Sequence, residues 1–218
     1  MVFWPVAAAR FDALWPSSTL NDDATHVTYD FKKAAFIRLR TGMADVFLYQ
    51  VAAMSIVTIY LEMHSPDQLR PKRCGDGRFE IREKECDWRF NRDLYLAVGQ
   101  TWSWNDKRAW TDEQWKEYGR APGLRTFGGY YDNSLAGYYE LRRDEEGGVE
   151  IAYFGLLPKF VGRGLGGALL TSAIEGAWRT SPSISRVWVH TCTLDHPSAL
   201  ANYQARGMVI YKQETGEG

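Results

Sequence analysis

Apolar and polar positions change their period several times along this chain, and each change marks an element. Ile56-Val57-Thr58-Ile59-Tyr60-Leu61 is a β-branched and aromatic run of strand length. From His64 to Gly77 the prolines Pro66 and Pro71 and the glycines Gly75 and Gly77 interrupt any period, which reads as a loop. Phe79 to Glu83 alternates briefly like a half-buried strand, whereas Phe90, Leu94, Tyr95 and Val98 recur at helical spacing within Trp88 to Val98. Thr111-Asp112-Glu113-Gln114 has the make-up of an N-cap followed by an acidic first turn, opening a short helix through Tyr118. Leu124 to Tyr131 and Leu135 to Arg142 are strand-like and meet at Asp132-Asn133-Ser134, residues that tolerate the positive φ of a tight hairpin. Gly147-Gly148 then turns the chain into a strand from Val149 to Leu157.

The next period is helical. Leu165, Leu169, Ala173 and Ala177 form one i,i+4 row, and Leu170, Ile174 and Trp178 form its neighbour, so this helix is expected to pack on a sheet. Val187 to Thr191 is another strand, and a further helix falls within Ala199 to Met208. With the short Phe79 run left aside, the order is strand, two helices, three antiparallel strands, helix, strand, helix, strand. By pattern alone that defines an α+β domain.

Between the strand ending at Leu157 and the helix starting near Leu165 lies Pro158-Lys159-Phe160-Val161-Gly162-Arg163-Gly164. Glycines there let the backbone turn tightly and approach a ligand. A helix that opens directly afterwards directs unpaired N–H groups and its positive end at the same spot, and the natural guest is a phosphate or pyrophosphate. Gly162, Gly164 and Gly167 also satisfy the G-x-G-x-x-G fingerprint of dinucleotide-binding folds. That reading needs an acidic residue at the end of the next strand and several further βα units. The next strand ends Val187-Trp188-Val189-His190-Thr191, and the chain beyond Gly167 is too short for those units. No Gly-Lys-Ser/Thr follows, which excludes a P-loop.

The stretch resembles the pyrophosphate loop of the GNAT acyl-CoA N-acyltransferases, in which a strand and a proline precede Q/R-x-x-G-x-G/A. Pro158 stands at the proline, Val161 at the Gln/Arg place, and Gly164 and Gly166 at the glycines. Val161 departs from the pattern at a position that works in the family largely through its backbone N–H. Ala199-Leu200-Ala201-Asn202-Tyr203-Gln204-Ala205-Arg206-Gly207-Met208 is similar to the family's A-x-x-x-Y-x-x-x-G-F helix end. The close likeness runs from about Val149 to Ile210. It implies a GNAT-type fold, with a mixed, mostly antiparallel, twisted sheet flanked by helices. Val46 to Ile59 is apolar, and the first half of that run matches nothing in the family pattern. Residues 1–53 are therefore taken as an extension of unclear role, and 54–218 as the GNAT domain.

Totals narrow the reading further. The chain has 218 residues, 45% hydrophobic and 24% charged, enough for one core plus an extension. A net charge of −1 gives no footprint for a nucleic-acid or membrane partner. No apolar window reaches the length of a membrane-spanning helix, and the N-terminal apolar residues lack the flank of a signal peptide. Three cysteines without scaffold spacing suit a reducing compartment, so a cytoplasmic location is expected. His190, Cys192 and His196 read as a strand end and a helix start rather than as metal ligands, and no metal is expected.

The resemblance implies acetyl-CoA as co-substrate and transfer of its acetyl group to a primary amine by direct attack in a ternary complex. The alternative is a catalytically silent acyl-CoA-binding or sensing module on the same fold. Cofactor contacts are expected from Phe154, Leu156, Leu157, Val161, Gly162, Arg163, Gly164, Leu165, Gly166 and Tyr203, with the N–H of Leu156 on the oxyanion. Tyr203 falls on the family tyrosine as the proton donor to the thiolate. Glu150 is the first choice for the base, directly or through a water, against a purely salt-bridged role; Glu140 and His190 follow. His196 or Asp195, with Pro197 behind it, is expected as the N-cap of the last helix. The tryptophan-rich segment Thr101 to Trp110 matches the part of the family that walls the acceptor pocket. Trp102, Trp104 and Trp110 are the expected acceptor-binding residues, offering apolar faces and cation–π contacts to a small-molecule or peptide amine, against a role in packing. The sequence does not set the oligomeric state, although the family resemblance allows a homodimer, since this fold often pairs.

Overall fold

The computed structural model describes residues 35–41, 44–50, 55–85 and 87–217. The chain divides into two compact units, Met1–Ala53 and Met54–Gly218. In the first, β1 (Ala35–Thr41) and β2 (Ala44–Gln50) form an antiparallel pair with Ala35 opposite Gln50.

The second unit holds β3 (Ser55–Met63), β4 (Phe79–Lys84), α1 (Trp88–Gly99), α2 (Asp112–Gly119), β5 (Leu124–Tyr131), β6 (Ser134–Arg143), β7 (Gly148–Leu156), α3 (Leu165–Trp178), β8 (Arg186–Cys192), α4 (Ala199–Ala205) and β9 (Val209–Glu217). Its seven strands lie in the order β4-β5-β6-β7-β8-β3-β9. Every neighbouring pair is antiparallel except β7 and β8. This is the mixed α+β architecture expected. The Phe79 run is a full strand at one edge of the sheet. The strand from Ser55 lies near the other edge, between β8 and the C-terminal β9, rather than heading the sheet.

Local chemistry accounts for most boundaries. Thr111 caps α2 and forms a capping box with Gln114: its hydroxyl accepts from the Gln114 N–H and the Gln114 side chain accepts from the Thr111 N–H. Asp87 caps α1 by accepting from the Phe90 N–H. Asp132 and Asn133 both take positive φ, +51° and +58°, the backbone a two-residue hairpin turn requires between β5 and β6. The N-cap of α4 is Ser198 rather than His196 or Asp195. Asp195 is already used in the turn after β8, where its Oδ2 accepts from the Thr191 hydroxyl at 2.7 Å and the Cys192 N–H at 3.0 Å. His196 instead accepts the Ser198 N–H on Nδ1 at 3.0 Å.

The core lies between α3 and the sheet. Leu169, Leu170, Ala173, Ile174 and Ala177 of α3 are fully buried against Leu141, Val149, Ile151, Val187 and Leu61. Each fully buried leucine or isoleucine contributes about 1.5–3 kcal/mol, so this one helix is held firmly in place. A second cluster on the opposite face packs Leu94 and Val98 of α1 on Tyr138.

Candidate active site

The β7–β8 pair determines where a ligand can enter. Their parallel ladder holds only from Gly148–Arg186 to Glu150–Trp188, yet β7 continues to Leu156 and β8 to Cys192. Beyond Glu150 the strands part, and the gap opens a cleft of about 1000 Å³ between the two layers of helices. Successive N–H groups alternate across a strand. The Leu157 N–H bonds Ala136 O of β6 at 2.9 Å, so the Leu156 N–H points the other way, into the gap.

At the mouth of the gap stands the N-terminus of α3. Gly164 is its N-cap, in the left-handed region with φ +76°, and no side chain caps it. A residue with a Cβ is strained by roughly 1–2 kcal/mol there. Uncapped first-turn N–H groups and the dipole of a 14-residue helix thus meet in one place. Gly162, with φ +80°, makes the preceding turn in open space.

Most of the residues singled out from the sequence come together on this cleft. Glu150, Phe154, Leu156, Val161, Gly162, Gly164, Gly166, Tyr203, Trp102 and Trp104 all line it. Four others do not. Leu157 and Leu165 turn into a core cluster around Ala136 and Phe160. Arg163 lays its guanidinium over the Phe160 ring, 5.3 Å from its centroid. Trp110 packs on Trp115 and Tyr118, with ring centroids 5.2 and 5.6 Å away.

Tyr203 is 5% exposed and packs on Phe154, its ring 6.1 Å away across the gap. Burial, and more weakly the charge of Asp195, push its hydroxyl well above the ordinary phenol, so it stays protonated at neutral pH. Glu150 is 3% exposed, and its carboxylate is not free. Oε2 accepts from Nε and Nη2 of Arg142 at 3.0 and 2.5 Å, and Oε1 lies 3.4 Å from Nδ1 of His190. Burial alone would raise the Glu150 carboxyl, but His190 and Arg142 outweigh it and hold it below the usual glutamate range. Glu140 lies one layer away, fully buried, accepting from Asn91 at 2.8 Å and from the Tyr118 hydroxyl. Burial raises its carboxyl.

Two cations that sequence reasoning passed over stand beside the helix start. Lys72 and Arg206 both line the cleft, and both side chains crowd the place where a Cβ on Gly167 would be. Arg206 Nε is buried and has no partner among the described residues, while its Nη1 reaches Asn202 Oδ1 at 3.5 Å. Asn202 in turn donates to Gly166 O at 3.3 Å, tying α4 to the first turn of α3. Arg206 was discoverable: it follows Tyr203 by three residues, on the same helix face. Lys72 sits in the irregular segment before β4 and carries no such signal.

On the other side of the cleft, Trp104 packs on Tyr95 and Tyr153, and its Nε1 donates to Asp195 Oδ1 at 3.4 Å. Trp102 packs on His196, 4.9 Å between rings. Asp106 accepts from the hydroxyls of Tyr95 and Tyr153 and from Lys107. The Lys107 ammonium sits over Trp110, Tyr118 and Tyr153 at 4.6–5.1 Å. Among the described residues no group of three or more His, Cys, Asp or Glu side chains is arranged to hold a metal ion. No helix among them is long and apolar enough to cross a membrane.

An α+β domain with a splayed parallel strand pair facing an uncapped, glycine-opened helix start is the arrangement these residues form. The model of the acetyltransferase (GNAT) family matches residues 84–208, more than half of the chain, and the chain belongs to that family. Among solved structures, a GCN5-related N-acetyltransferase from Kribbella flavida has a similar fold, with TM-score 0.51 and 13% identity over 74% of this chain and 60% of its own. A putative GNAT-family acetyltransferase from Novosphingobium aromaticivorans matches with TM-score 0.49 and 18% identity, over 75% of this chain and 66% of its own. An IAA acetyltransferase from Bacillus cereus matches with TM-score 0.48 and 22% identity, over 62% of this chain and 79% of its own. The chain spans 60 and 66% of the length of the Kribbella and Novosphingobium proteins. No curated protein matches it.

Proposed function

We propose that this chain is an N-acyltransferase that moves an acetyl group from acetyl-CoA to a primary amine, by direct attack within a ternary complex. The observation that carries the reading is the uncapped N-terminus of α3 behind Gly164, facing the point where β7 and β8 part. N–H groups from Gly162 to Gly166 take the pyrophosphate; the Val161 N–H, expected among them, is instead donated to Pro158 O at 3.3 Å. The pantetheine arm lies in the gap as a missing strand would, and the Leu156 N–H meets the thioester carbonyl as it becomes an oxyanion. Tyr203, which lines the cleft beside Phe154, gives its proton to the departing thiolate. Glu150 and His190 supply the proton-accepting side of the cleft, and the wall carrying Trp102 and Trp104 receives the acceptor. Family membership and the likeness of fold support this reading; the acyl donor and the acceptor are the reading's own.

Calorimetric titration with acetyl-CoA, and separately with NADH, tests it. Micromolar acetyl-CoA binding is expected, weakened at least tenfold by Gly164→Val or Gly166→Val. Response to NADH and none to acetyl-CoA would return the glycine loop to the dinucleotide reading. Tyr203→Phe should leave acetyl-CoA affinity unchanged and lower thiol release at saturating amine by about 100-fold.

A further inference from the structure

We propose that His190 is the general base of this site and that Glu150 is its positioning residue; the inference rests on the acyltransfer reading above. Glu150 is the nearer carboxylate by sequence logic, but its two oxygens are taken. Arg142 holds Oε2 through two nitrogens, Oε1 faces His190, and the side chain is 3% exposed. A carboxylate locked to an arginine has little affinity left for a substrate proton. His190 has the complementary surroundings. Its side chain is 47% exposed and lines the cleft. It stands on β8 two residues past Trp188, the last residue paired with β7, so it sits just inside the fork. Nδ1 is turned to Glu150, which in the neutral ring favours the proton on Nδ1 and leaves the lone pair on Nε2.

The groups facing the ring are few. Glu150 comes from β7 with Arg142 of β6 behind it, and Tyr60 of β3 stands directly across, ring centroids 5.8 Å apart. The Tyr60 hydroxyl is turned away, donating to Glu214 at 2.7 Å, with Lys212 4.9 Å above its ring. Trp188 lies beside His190 on the same strand. Of these, only Glu150 offers an ionised oxygen to Nδ1.

In the step this arrangement performs, the amine nitrogen attacks the thioester carbon and one of its N–H protons passes to His190 Nε2. The carbonyl π pair moves onto the oxygen. That pair returns as the C–S bond breaks, and the thiolate takes the Tyr203 proton. His190 then loses its proton to water and Tyr203 regains one, leaving amide and free CoA thiol.

The test reads the imidazole directly and then the chemistry. In the full chain with ¹³C-labelled histidine, the signal lost in His190→Gln identifies His190. In Glu150→Gln its Nδ1–H tautomer should become less populated, read from the ring ¹³C shifts of the neutral imidazole. An unchanged tautomer population overturns the pairing. Thiol release from acetyl-CoA is then followed with phenethylamine, or with water alone, as nucleophile. His190→Gln should lose about 100-fold in kcat with acetyl-CoA affinity within twofold, and should lose the acid limb of the pH profile. Glu150→Gln should keep that limb and lose only about tenfold. An acid limb that survives in His190→Gln, or a heavier loss in Glu150→Gln than in His190→Gln, makes Glu150 the base instead. A protein that fails to bind acetyl-CoA at all sinks the acyltransfer reading, whereas the His190 tautomer judges the His190–Glu150 pairing separately.

Discussion

Glu140 shows how a single residue couples the site to stability. Its carboxyl is raised by burial against hydrogen bonds from Tyr118 and Asn91, which favour the charged form. A carboxyl raised in the folded state contributes its full stability below the unfolded-state value, 4.5, and loses it as pH rises through the folded value. The melting temperature of Glu140→Gln relative to the native chain should therefore climb as pH rises above 4.5, which thermal melts across that range would read. Glu140→Ala should cost about 2–4 kcal/mol where Glu140 is protonated, because it leaves a cavity and strips Asn91 and Tyr118 of a partner. At this scale the sequence was a good guide to which residue types gather, but not to which of three candidate proton acceptors is free. Glu150, Glu140 and His190 differ in their neighbours, and the partners of Glu150 and Glu140, Arg142 and Tyr118, are nothing a motif encodes.

Between elements, the start of α3 and the end of α4 form one anion-facing surface. Lys72 and Arg206 complete it from two separate segments, and a charge-assisted bond to a phosphate is worth about 1.5–3 kcal/mol. Arg206→Ala should weaken acetyl-CoA at least tenfold, and the affinity of the variant should depend less on salt than that of the native chain. The tryptophan-bearing loop after α1 divides in the same way. Trp102→Ala should raise the acceptor KM and leave the melting temperature in place. Trp110→Ala should do the opposite, losing about 3 kcal/mol in stability with KM unchanged, since its ring packs on Trp115 and Tyr118 away from the cleft. Three similar indoles within ten residues carry no mark of which one faces the ligand.

Across the whole second unit, β3 is the strand whose position matters most. It lies between β8 and β9 and buries Leu61 and Met63 completely. Removing residues 1–53 should leave a folded, acetyl-CoA-binding protein, judged by circular dichroism and calorimetry. Removing residues 1–63 should not, because β8 would lose one neighbour and β9 its only one. An insoluble product from the first deletion would count against treating 1–53 as an extension.

What the sequence determined by itself is local. Periods of two and 3.6, the N-cap at Thr111 and the Asp132-Asn133 turn are short-range choices, and the glycine loop with its tyrosine helix is a short-range motif. Each therefore lies at or near its predicted place. The tertiary structure alone decided how β3 and β4 are placed, where β7 and β8 part, and which charged groups meet. Pairing between strands more than a hundred residues apart depends on the total apolar surface buried, which no single stretch of the chain records. The freedom of a proton acceptor in the cleft depends likewise on ion pairs that exist only once those strands stand side by side.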